Sequence, residues 1–377
     1  MELPNSKREL LLYGSSFVLR LPFLYQSYRH NHPMHVSPLS VDINITDRCN
    51  YLCKQCRGAI PNYKPKEEMT FADLQKIIDE MCIMKIPYLG LCGGEPLLRY
   101  DLVVQTVQYA NKVGIKTGIV TNGSLLDENK LCELAKIGLY RMALSLDGST
   151  REIHDYNRMP GSFDHITQIL SLYRELKLDK EMSLYLFTVV MKNNYMQLLE
   201  IANIAKSFNA TVFYQPVGLP QVYDQRDSEN TQSTGVEQLT IHGSDLALLE
   251  KEIHKLVAFK KKYGVVGNLL WQLSNIVNYY KRLENSSLPT PFKCYTGYNS
   301  IRIDSDGAVS SCMFMPEVGN IKKAGLKEIW LSNDYNSHRK AIKQCNRPCA
   351  LNCYYPVSLP GLINEFAILP AKRKLGL

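Results

Sequence analysis

The sequence lacks a long uninterrupted run of apolar residues. A helix that crosses a membrane needs about 18 consecutive apolar residues, and the apolar stretch from Leu10 to Leu24 is broken by Gly14, Arg20 and Pro22. The same stretch has no small-residue cleavage site of the kind that ends a secretion signal. These absences predict a soluble protein.

A disulfide framework is absent as well. The chain has eleven cysteines, and their spacing does not suggest pairs that would form disulfide bonds. Small secreted domains instead carry even sets of cysteines that staple the fold. We therefore expect the protein to be in the reducing cytoplasm.

Low-complexity segments and concentrated charge are also missing. Of the 377 residues, 45% are apolar and 21% are charged, which is the composition of a folded globular protein. The formal net charge of +8 is spread along the chain, with no basic stripe that interleaves aromatic residues, so we expect no nucleic-acid partner. The length suits a barrel-sized domain with a small appended module.

Basic residues gather only near the two ends of the chain. They are Lys7, Arg8, Arg20, Arg29 and His30 at the start, and Lys372, Arg373 and Lys374 at the finish. We predict a lead-in helix segment over residues 1–37 that packs on the barrel with its charges in water. The alternative is a helix on a membrane surface, which would make a peripheral membrane contact. Residues 357–377 are predicted to form a C-terminal tail.

Apolar, β-branched runs alternate with helical segments after this lead-in. The predicted strands are Val41–Thr46, Tyr88–Cys92, Lys116–Thr121, Arg141–Leu146, Met182–Val190 and Thr211–Val217. The predicted helices between them are Phe71–Met84, with Thr70 as N-cap, Leu102–Lys112, Lys130–Ile137, Ile166–Leu176 and Met196–Ser207. Such alternation predicts a parallel sheet covered by helices. A complete barrel needs eight such repeats, and six are predicted here. We therefore predict an α/β fold with a partial, TIM-like (β/α)6 barrel over residues 38–225. Its functional loops should lie at the C-terminal edge of the sheet.

The rest of the chain is predicted to hold a linker and a cysteine-rich module. Gln221–Gly243 is polar, and helices are predicted at Leu246–Lys262 and Leu269–Leu283. These form a segment of linker and helices over residues 226–290. Residues 291–356 then form a small cysteine-rich domain with a β-hairpin.

Three cysteines follow the first predicted strand with the spacing CxxxCxxC. They are Cys49, Cys53 and Cys56. Structural zinc usually takes four ligands, so three cysteines with no adjacent fourth leave a metal site open. An iron–sulfur cube held by three thiolates has one iron without a protein ligand, and that iron can accept a small molecule. A buried or zinc-bound cysteine cluster is the alternative.

This spacing, followed by the turn Gly93-Gly94-Glu95-Pro96, resembles the radical S-adenosylmethionine (SAM) superfamily. The resemblance implies a 4Fe–4S cluster on the three cysteines, with SAM on the open iron. It implies that an electron from a donor such as flavodoxin or ferredoxin cleaves SAM to methionine and a 5'-deoxyadenosyl radical, which removes a hydrogen atom from the substrate. It also implies that Gly93, Gly94, Glu95 and Pro96 form the edge that meets the SAM amino group.

Polar residues at the ends of the next strands resemble the segments that line the SAM pocket in this family. They are Asn122, Ser145 and Asp147. The resemblance assigns Ser145 to the ribose, while Asn122 and Asp147 either line the pocket or only form turns.

Arg158 follows in a segment that resembles a family loop whose arginine pairs with the SAM carboxylate. Here Met159-Pro160 stands where a glycine is more common, and a solvated arginine is the alternative. Cys92, directly before the two glycines, is expected near the pocket or as a buried small hydrophobe.

The second group of cysteines resembles the SPASM and Twitch extensions of radical SAM enzymes. Its members are Cys294, Cys312, Cys345, Cys349 and Cys353, with a predicted hairpin that turns at Asp306-Gly307. Full SPASM modules carry more cysteines and more than one cluster, so the resemblance favours one auxiliary 4Fe–4S cluster of the Twitch kind. Its ligands would be the first two cysteines and two of the last three. A zinc ribbon is the alternative.

The substrate is less defined than the chemistry. Relatives with such extensions oxidise, epimerise, crosslink or dehydrogenate peptides, sugars and other small molecules, and fold alone does not choose among these. The stretch before Val41 is too short for a separate domain that binds a leader peptide, so we favour a small-molecule or lipid-like substrate, with a peptide next. The alternative from another class is a non-catalytic protein, either an iron–sulfur electron carrier or a zinc-stabilised binding protein.

Overall fold

A computed structural model describes residues 26–28, 30, 37–56, 67–218, 236–289, 293–349 and 354–355. Its largest feature is a run of parallel strands. They are β1 (Ser40–Thr46), β2 (Tyr88–Gly93), β3 (Lys116–Thr121), β4 (Arg141–Ser145), β5 (Ser183–Val190) and β6 (Thr211–Pro216). Every strand boundary lies within one residue of its prediction, and the strands form the partial barrel predicted from the sequence.

Helices connect successive strands of this barrel. They are α1 (Phe71–Ile83), α2 (Tyr100–Lys112), α3 (Glu128–Lys136), α4 (Arg151–Asn157), α5 (Ser162–Glu175) and α6 (Leu198–Ser207). The predicted N-cap Thr70 is confirmed, because its side chain accepts from Asp73 N and the Asp73 carboxylate accepts from Thr70 N. This capping box satisfies backbone groups that would otherwise lack partners at the helix start.

The two faces of the sheet have different partners. Val41 and Ile43 of β1 point outward into the main core, where they meet the buried face of α1, including Leu74 and Ile78. Alternate residues point the other way. There a second, smaller apolar cluster contains Ala143, Tyr185 and Phe213. The barrel therefore has a packed outside and a lumen with its own lining.

Two further helices follow the barrel strands. They are α7 (Asp245–Tyr263) and α8 (Leu270–Glu284), each within one residue of its predicted bounds. Two tyrosines of α8 hold the end of the sheet: Tyr279 Oη donates to Val217 O at 2.7 Å and Tyr280 Oη donates to Val190 O at 2.5 Å.

The C-terminal elements join the barrel sheet. They are β7 (Lys293–Cys294), β8 (Ser300–Ile303), β9 (Ala308–Ser310), β10 (Gly319–Asn320), α9 (Leu326–Leu331), α10 (Asn333–Lys343) and β11 (Tyr354–Tyr355). β8 and β9 form the predicted hairpin, and Gly307 in its turn has a φ of +87°, which favours glycine. β8 also pairs in parallel with β1, so the sheet order is β10-β9-β8-β1-β2-β3-β4-β5-β6. This hairpin covers what would otherwise be an exposed strand edge.

Contacts beyond the sheet hold the same elements against the barrel. Lys327 N at the start of α9 donates to the Glu80 carboxylate of α1 at 3.0 Å. The Ser305 hydroxyl donates to the Asp47 carboxylate in the cysteine-bearing loop after β1.

Several predicted segments lie outside the described residues. These are most of the lead-in helix, the tail at 357–377, residues 219–235 of the polar stretch, and Cys353. Of the lead-in, residues 26–28 and 30 are helical, and the Tyr28 ring stacks on Tyr295 with centroids 4.6 Å apart. Within the described ranges, no helix has the length and apolar character needed to cross a membrane.

The core of α1 provides a test of this packing. Ile78 is fully buried, whereas Ile83 on the same helix is 72% exposed. We expect Ile78→Ala to lower the free energy of unfolding by about 2–5 kcal/mol, because it removes buried methyl groups and leaves a cavity. Ile83→Ala, the matched control, should change it by less than about 0.5 kcal/mol. Urea unfolding followed by circular dichroism measures both, and equal effects of the two variants would contradict this packing.

Candidate active site

The three cysteines of the CxxxCxxC motif lie in the loop that leaves β1 at the C-terminal edge of the sheet. Cys53 is buried, Cys49 is half-buried and Cys56 is exposed. Cys49 Sγ accepts from Tyr51 N at 3.4 Å, and Cys56 N donates to Cys53 O at 3.1 Å. The loop is therefore a compact turn that holds three thiols at one edge of the barrel.

The two glycines at the end of β2, Gly93 and Gly94, hold this loop in place. Gly94 N donates to Thr46 O at 2.7 Å, and Glu95 N donates to Arg48 O at 2.8 Å. A Cβ on Gly93 would overlap the Thr46 carbonyl, and one on Gly94 would overlap the Arg48 carbonyl. Gly93 also has a φ of +139°, where side chains are strained. The glycines thus let two backbones approach closely, and the contact of this turn with the SAM amino group stays a prediction.

Glu95 braces the ends of two strands. Its side chain is fully buried; Oε1 accepts from Thr121 Oγ1 at 2.7 Å and from Leu97 N at 3.0 Å, while Oε2 accepts from Asn122 N at 2.8 Å. Burial raises the pKa of this carboxyl, and the three hydrogen bonds oppose that rise. Pro96 follows as the first residue of a short 3₁₀ turn. Glu95 thus fixes the position of Asn122 relative to the glycine turn.

Asp147 and Arg158 form a buried ion pair beside the cysteines. Arg158 Nε lies 2.7 Å from Asp147 Oδ2, and Arg158 Nη1 lies 3.9 Å from Cys53 Sγ. Asp147 also accepts from Gln55 Nε2 at 2.6 Å and from Val189 N at 2.7 Å. Burial raises the pKa of Asp147, and the Arg158 charge opposes this. Burial also lowers the pKa of Arg158, but Asp147 and the nearby thiols outweigh that effect and raise it.

These contacts decide between two expectations for each residue. Arg158 is buried, so the alternative of a solvated arginine is wrong. Asp147 is more than a turn-former, because it anchors both Arg158 and the cysteine loop through Gln55. A contact between Arg158 and the SAM carboxylate stays a prediction.

The segment before Arg158 is helix α4 and not the loop that the resemblance implied. Its His154 packs inward, and His154 Nδ1 accepts from Asp147 N at 3.1 Å. Burial and the Arg158 charge lower the pKa of His154 to about 3, so the ring is neutral. Asn157 Nδ2 and Asn194 Nδ2 each donate to Asp147 O at 3.0 Å. His154 and Asn157 lie shortly before Arg158 and Asn194 lies 47 residues from Asp147, but none of the three has a spacing signal in the sequence that predicts its contact with Asp147.

Asn122 connects the third strand to the cysteine loop. Its Nδ2 donates to Asn50 Oδ1 at 3.0 Å and lies 3.9 Å from Cys49 Sγ. Ser145 lies half-buried at the end of β4, opposite Phe187 of β5. Asn122 therefore lies beside the motif cysteines, while the ribose contact of Ser145 stays a prediction.

The three thiols form a donor set that fits an iron–sulfur cluster. Burial raises the pKa of Cys49, and it raises the pKa of Cys53 to about 12; the neighbouring thiols add to both effects. A bound metal overcomes such a penalty, because thiolate ligands are deprotonated by the metal's charge. Among the described residues, no three His, Cys, Asp or Glu side chains surround a point that one metal ion could fill. A cube instead places each thiolate on a separate iron.

Three cysteines of the second group lie in or next to the described C-terminal elements. Cys294 lies in β7, Cys312 follows β9, and Cys345 follows α10. Thr296 Oγ1 donates to Ser311 O at 3.1 Å, which ties the segments of the first two cysteines together. Arg282 of α8 donates from Nη2 to Asn346 O at 2.5 Å and from Nη1 to Arg347 O at 3.4 Å, so the segment between Cys345 and Cys349 is fixed to α8.

The Asp147–Arg158 pair yields a prediction about pH. We expect Arg158→Gln to lower the free energy of unfolding by about 3–5 kcal/mol near pH 8, because it leaves a buried carboxylate unpaired. Without Arg158 the pKa of Asp147 rises further above its unfolded value. The loss should therefore be smaller at pH 6 than at pH 8, because a lower pH favours the protonated carboxyl. Urea unfolding of the reconstituted protein at both pH values measures the difference.

A matched control comes from an exposed pair. Arg151 Nη2 lies 2.7 Å from Asp164 Oδ1, with both side chains more than half exposed. Arg151→Gln should cost less than about 1 kcal/mol at either pH. Adding Asp147→Asn to Arg158→Gln should remove the pH dependence. A deficit that does not change with pH would contradict the assignment.

Comparison with known proteins agrees with this geometry. Residues 43–224 match the family model of the radical SAM superfamily, and residues 294–354 match that of the SPASM iron–sulfur cluster-binding domain. The AdoMet-dependent heme synthase of Methanosarcina barkeri is 26% identical over 296 residues, which cover 78% of this chain and 82% of that protein. Mycofactocin maturase MftC of Mycobacterium tuberculosis is 30% identical over 176 residues, which cover 47% of this chain and 44% of that protein.

Solved structures share the fold. Streptococcus suis SuiB bound to S-adenosylmethionine superposes with a TM-score of 0.61 at 16% sequence identity, covering 84% of this chain and 71% of that chain. Radical SAM domains bind a 4Fe–4S cluster and SAM, and SPASM domains bind auxiliary iron–sulfur clusters. The chain belongs to the radical SAM superfamily and carries a SPASM domain.

Proposed function

We propose that this protein is an enzyme that cleaves SAM reductively at a 4Fe–4S cluster held by Cys49, Cys53 and Cys56. The observation that carries the proposal is the loop of three thiols clamped to the C-terminal edge of the barrel by Gly94 and Glu95. When bound, the cluster and SAM supply a 5'-deoxyadenosyl radical that removes a hydrogen atom from a substrate. The result is oxidation, epimerisation, crosslinking or dehydrogenation of that substrate.

The chain's own residues position this chemistry. Asn122 and Arg158 place hydrogen-bond donors beside the sulfurs of Cys49 and Cys53. The Arg158 charge lowers the cost of ionising Cys53, in opposition to burial. In the proposed pocket the turn Gly93–Pro96, Asn122, Ser145, Asp147 and Arg158 surround SAM. The barrel then keeps the reacting atoms away from water.

One auxiliary 4Fe–4S cluster is proposed for the C-terminal module. Cys294 and Cys312 would supply two of its thiolates, since the contact between Thr296 and Ser311 holds their segments together. Two of Cys345, Cys349 and Cys353 would supply the others. With four thiolates the cluster would transfer electrons or stiffen the module. The domain division at residues 38–225, 226–290 and 291–356 is part of the same proposal.

The partners are proposed at the level of chemical class. A one-electron donor such as flavodoxin or ferredoxin would reduce the cluster in the cytoplasm. The substrate would be a small molecule, a lipid-like molecule or a peptide; the relatives named above include a heme synthase and a maturase. The rival function, an iron–sulfur electron carrier, predicts a cluster but no cleavage of SAM.

Iron content and SAM cleavage test the catalytic proposal together. We expect Cys53→Ala to lose about four irons per chain and to form no 5'-deoxyadenosine under strong reductant, because the cube loses one of its three ligands. The exposed Cys82 on α1 offers the matched control: Cys82→Ala should match the parent protein in both measurements. Iron analysis after anaerobic reconstitution and chromatography of the nucleoside products give the two readouts.

A variant of the proposed auxiliary site distinguishes loss of the auxiliary cluster from loss of the SAM-binding cluster. Cys294→Ala should also lose about four irons but should still form 5'-deoxyadenosine without substrate. Retention of all iron by Cys53→Ala would overturn the proposed ligand set. An intact SAM pool in the fully loaded parent protein would overturn the catalytic proposal in favour of an electron carrier.

A further inference from the structure

Two side chains from outside the cysteine loop donate hydrogen bonds to its sulfurs. Asn122 Nδ2, directly after β3, donates to Cys49 Sγ at 3.9 Å. Arg158 Nη1, directly after α4, donates to Cys53 Sγ at 3.9 Å. One donor is a neutral amide and the other is a cation, so the two sulfurs meet different chemistry from different parts of the barrel.

These donors are placed on the sulfurs that water reaches least. Cys53, the partner of Arg158, is only 6% exposed, and Cys49, the partner of Asn122, is half-buried. Cys56 is exposed, so water can solvate its sulfur. Negative charge on the two less accessible sulfurs is therefore stabilised by the protein, and negative charge on the third by solvent.

The amide of Asn122 is fixed in one orientation. Its Oδ1 accepts from Ser124 N at 2.9 Å and from Ser124 Oγ at 2.6 Å. Because a backbone N–H can only donate, the oxygen of the amide must face Ser124, and the nitrogen must face the cysteine loop. One N–H of Nδ2 then donates to Asn50 Oδ1 at 3.0 Å, and the other is directed to Cys49 Sγ.

The guanidinium of Arg158 is fixed by its ion pair. Arg158 Nε lies 2.7 Å from Asp147 Oδ2, and Asp147 Oδ1 accepts from Val189 N at 2.7 Å. The guanidinium is planar, so a contact at Nε also sets the direction of Nη1. The ion pair has no net charge, but its positive end faces Cys53. The Arg158 side chain is only 10% exposed, so solvent ions screen it weakly.

Hydrogen bonds to the sulfurs of an iron–sulfur cluster change its reduction potential. Reduction adds one electron to the cluster and breaks no bond. Donors that face the sulfurs therefore stabilise the reduced, more negative form more than the oxidised form. Resting on the proposed function, we propose that Asn122 and Arg158 raise the reduction potential of the cluster on Cys49, Cys53 and Cys56. The electron comes from the one-electron donor, and the two side chains make its transfer to the cluster more favourable.

A redox titration without SAM tests the neutral donor. We expect Asn122→Ala to make reduction of the cluster about tenfold less favourable, which is a shift of about 59 mV for one electron, because it removes a hydrogen-bond donor and no charge. The exposed Asn111 offers the matched control, and Asn111→Ala should keep the parent potential. Electron paramagnetic resonance of the reconstituted full-length protein at stepped potentials gives the readout.

Two features of the titration exclude other causes of a shift. In a separate sample, the signal that changes when SAM is added identifies the cluster on the CxxxCxxC motif. The potentials themselves are measured without SAM, so a lost contact to SAM cannot produce the shift.

Variants of the ion pair separate hydrogen bonding from charge. Arg158→Met should lower the potential by more than Asn122→Ala, because it also leaves the Asp147 carboxylate unpaired near the cluster. Adding Asp147→Asn removes that charge. The double variant should recover only part of the loss, because the N–H that faces Cys53 is still missing.

The outcomes distinguish this inference from the proposed function. Potentials within twofold of the parent equilibrium for both Asn122→Ala and the double variant would overturn the inference alone. Loss of the cluster from all these variants would also overturn it, since residues that only tune a potential are not needed to hold the cluster. Shifted potentials in a protein that leaves SAM intact would support the inference and refute the catalytic function. A parent protein with no cluster on these cysteines would refute both.

Discussion

The close backbone contact between the glycine turn and the cysteine loop determines the rest of the site. Two hydrogen bonds, from Gly94 N to Thr46 O and from Glu95 N to Arg48 O, fasten the loop to the end of β2. Their geometry requires that neither Gly93 nor Gly94 has a Cβ. The start of the cysteine loop, up to the residue before Cys49, is therefore fixed to the sheet.

Buried charges brace the surroundings of this loop. Glu95 joins the ends of β2 and β3, and Asp147 joins the end of β4 to Arg158 and to β5. Buried carboxylates are costly, and each is stable here only because several donors converge on it. We interpret the hydrogen bonds that converge on these carboxylates as the interactions that hold separate loops in one arrangement around the cysteines. Arg158 connects this network to the cysteines, because it pairs with Asp147 and also lies beside Cys53.

Much of this fold could be predicted from local sequence. The barrel strands are strongly apolar runs that end at glycine or polar turns, so their boundaries were predictable to within one residue. The cysteine spacing pointed to the loop that we propose holds the cluster. What could not be predicted depends on register and distant pairing. The parallel pairing of β8 with β1 and the contact of the buried Arg158 with Cys53 each join segments far apart in the chain. Individual residue patterns carry no signal for such contacts.

The central claim is that the cluster on Cys49, Cys53 and Cys56 keeps one iron open for SAM. Electron–nuclear double resonance of the reduced protein, with SAM labelled by ¹⁷O in its carboxylate, tests this directly. A hyperfine coupling of the label to the cluster's unpaired electron is the predicted result. A cluster signal that shows no coupling and does not change when SAM is added would contradict the account.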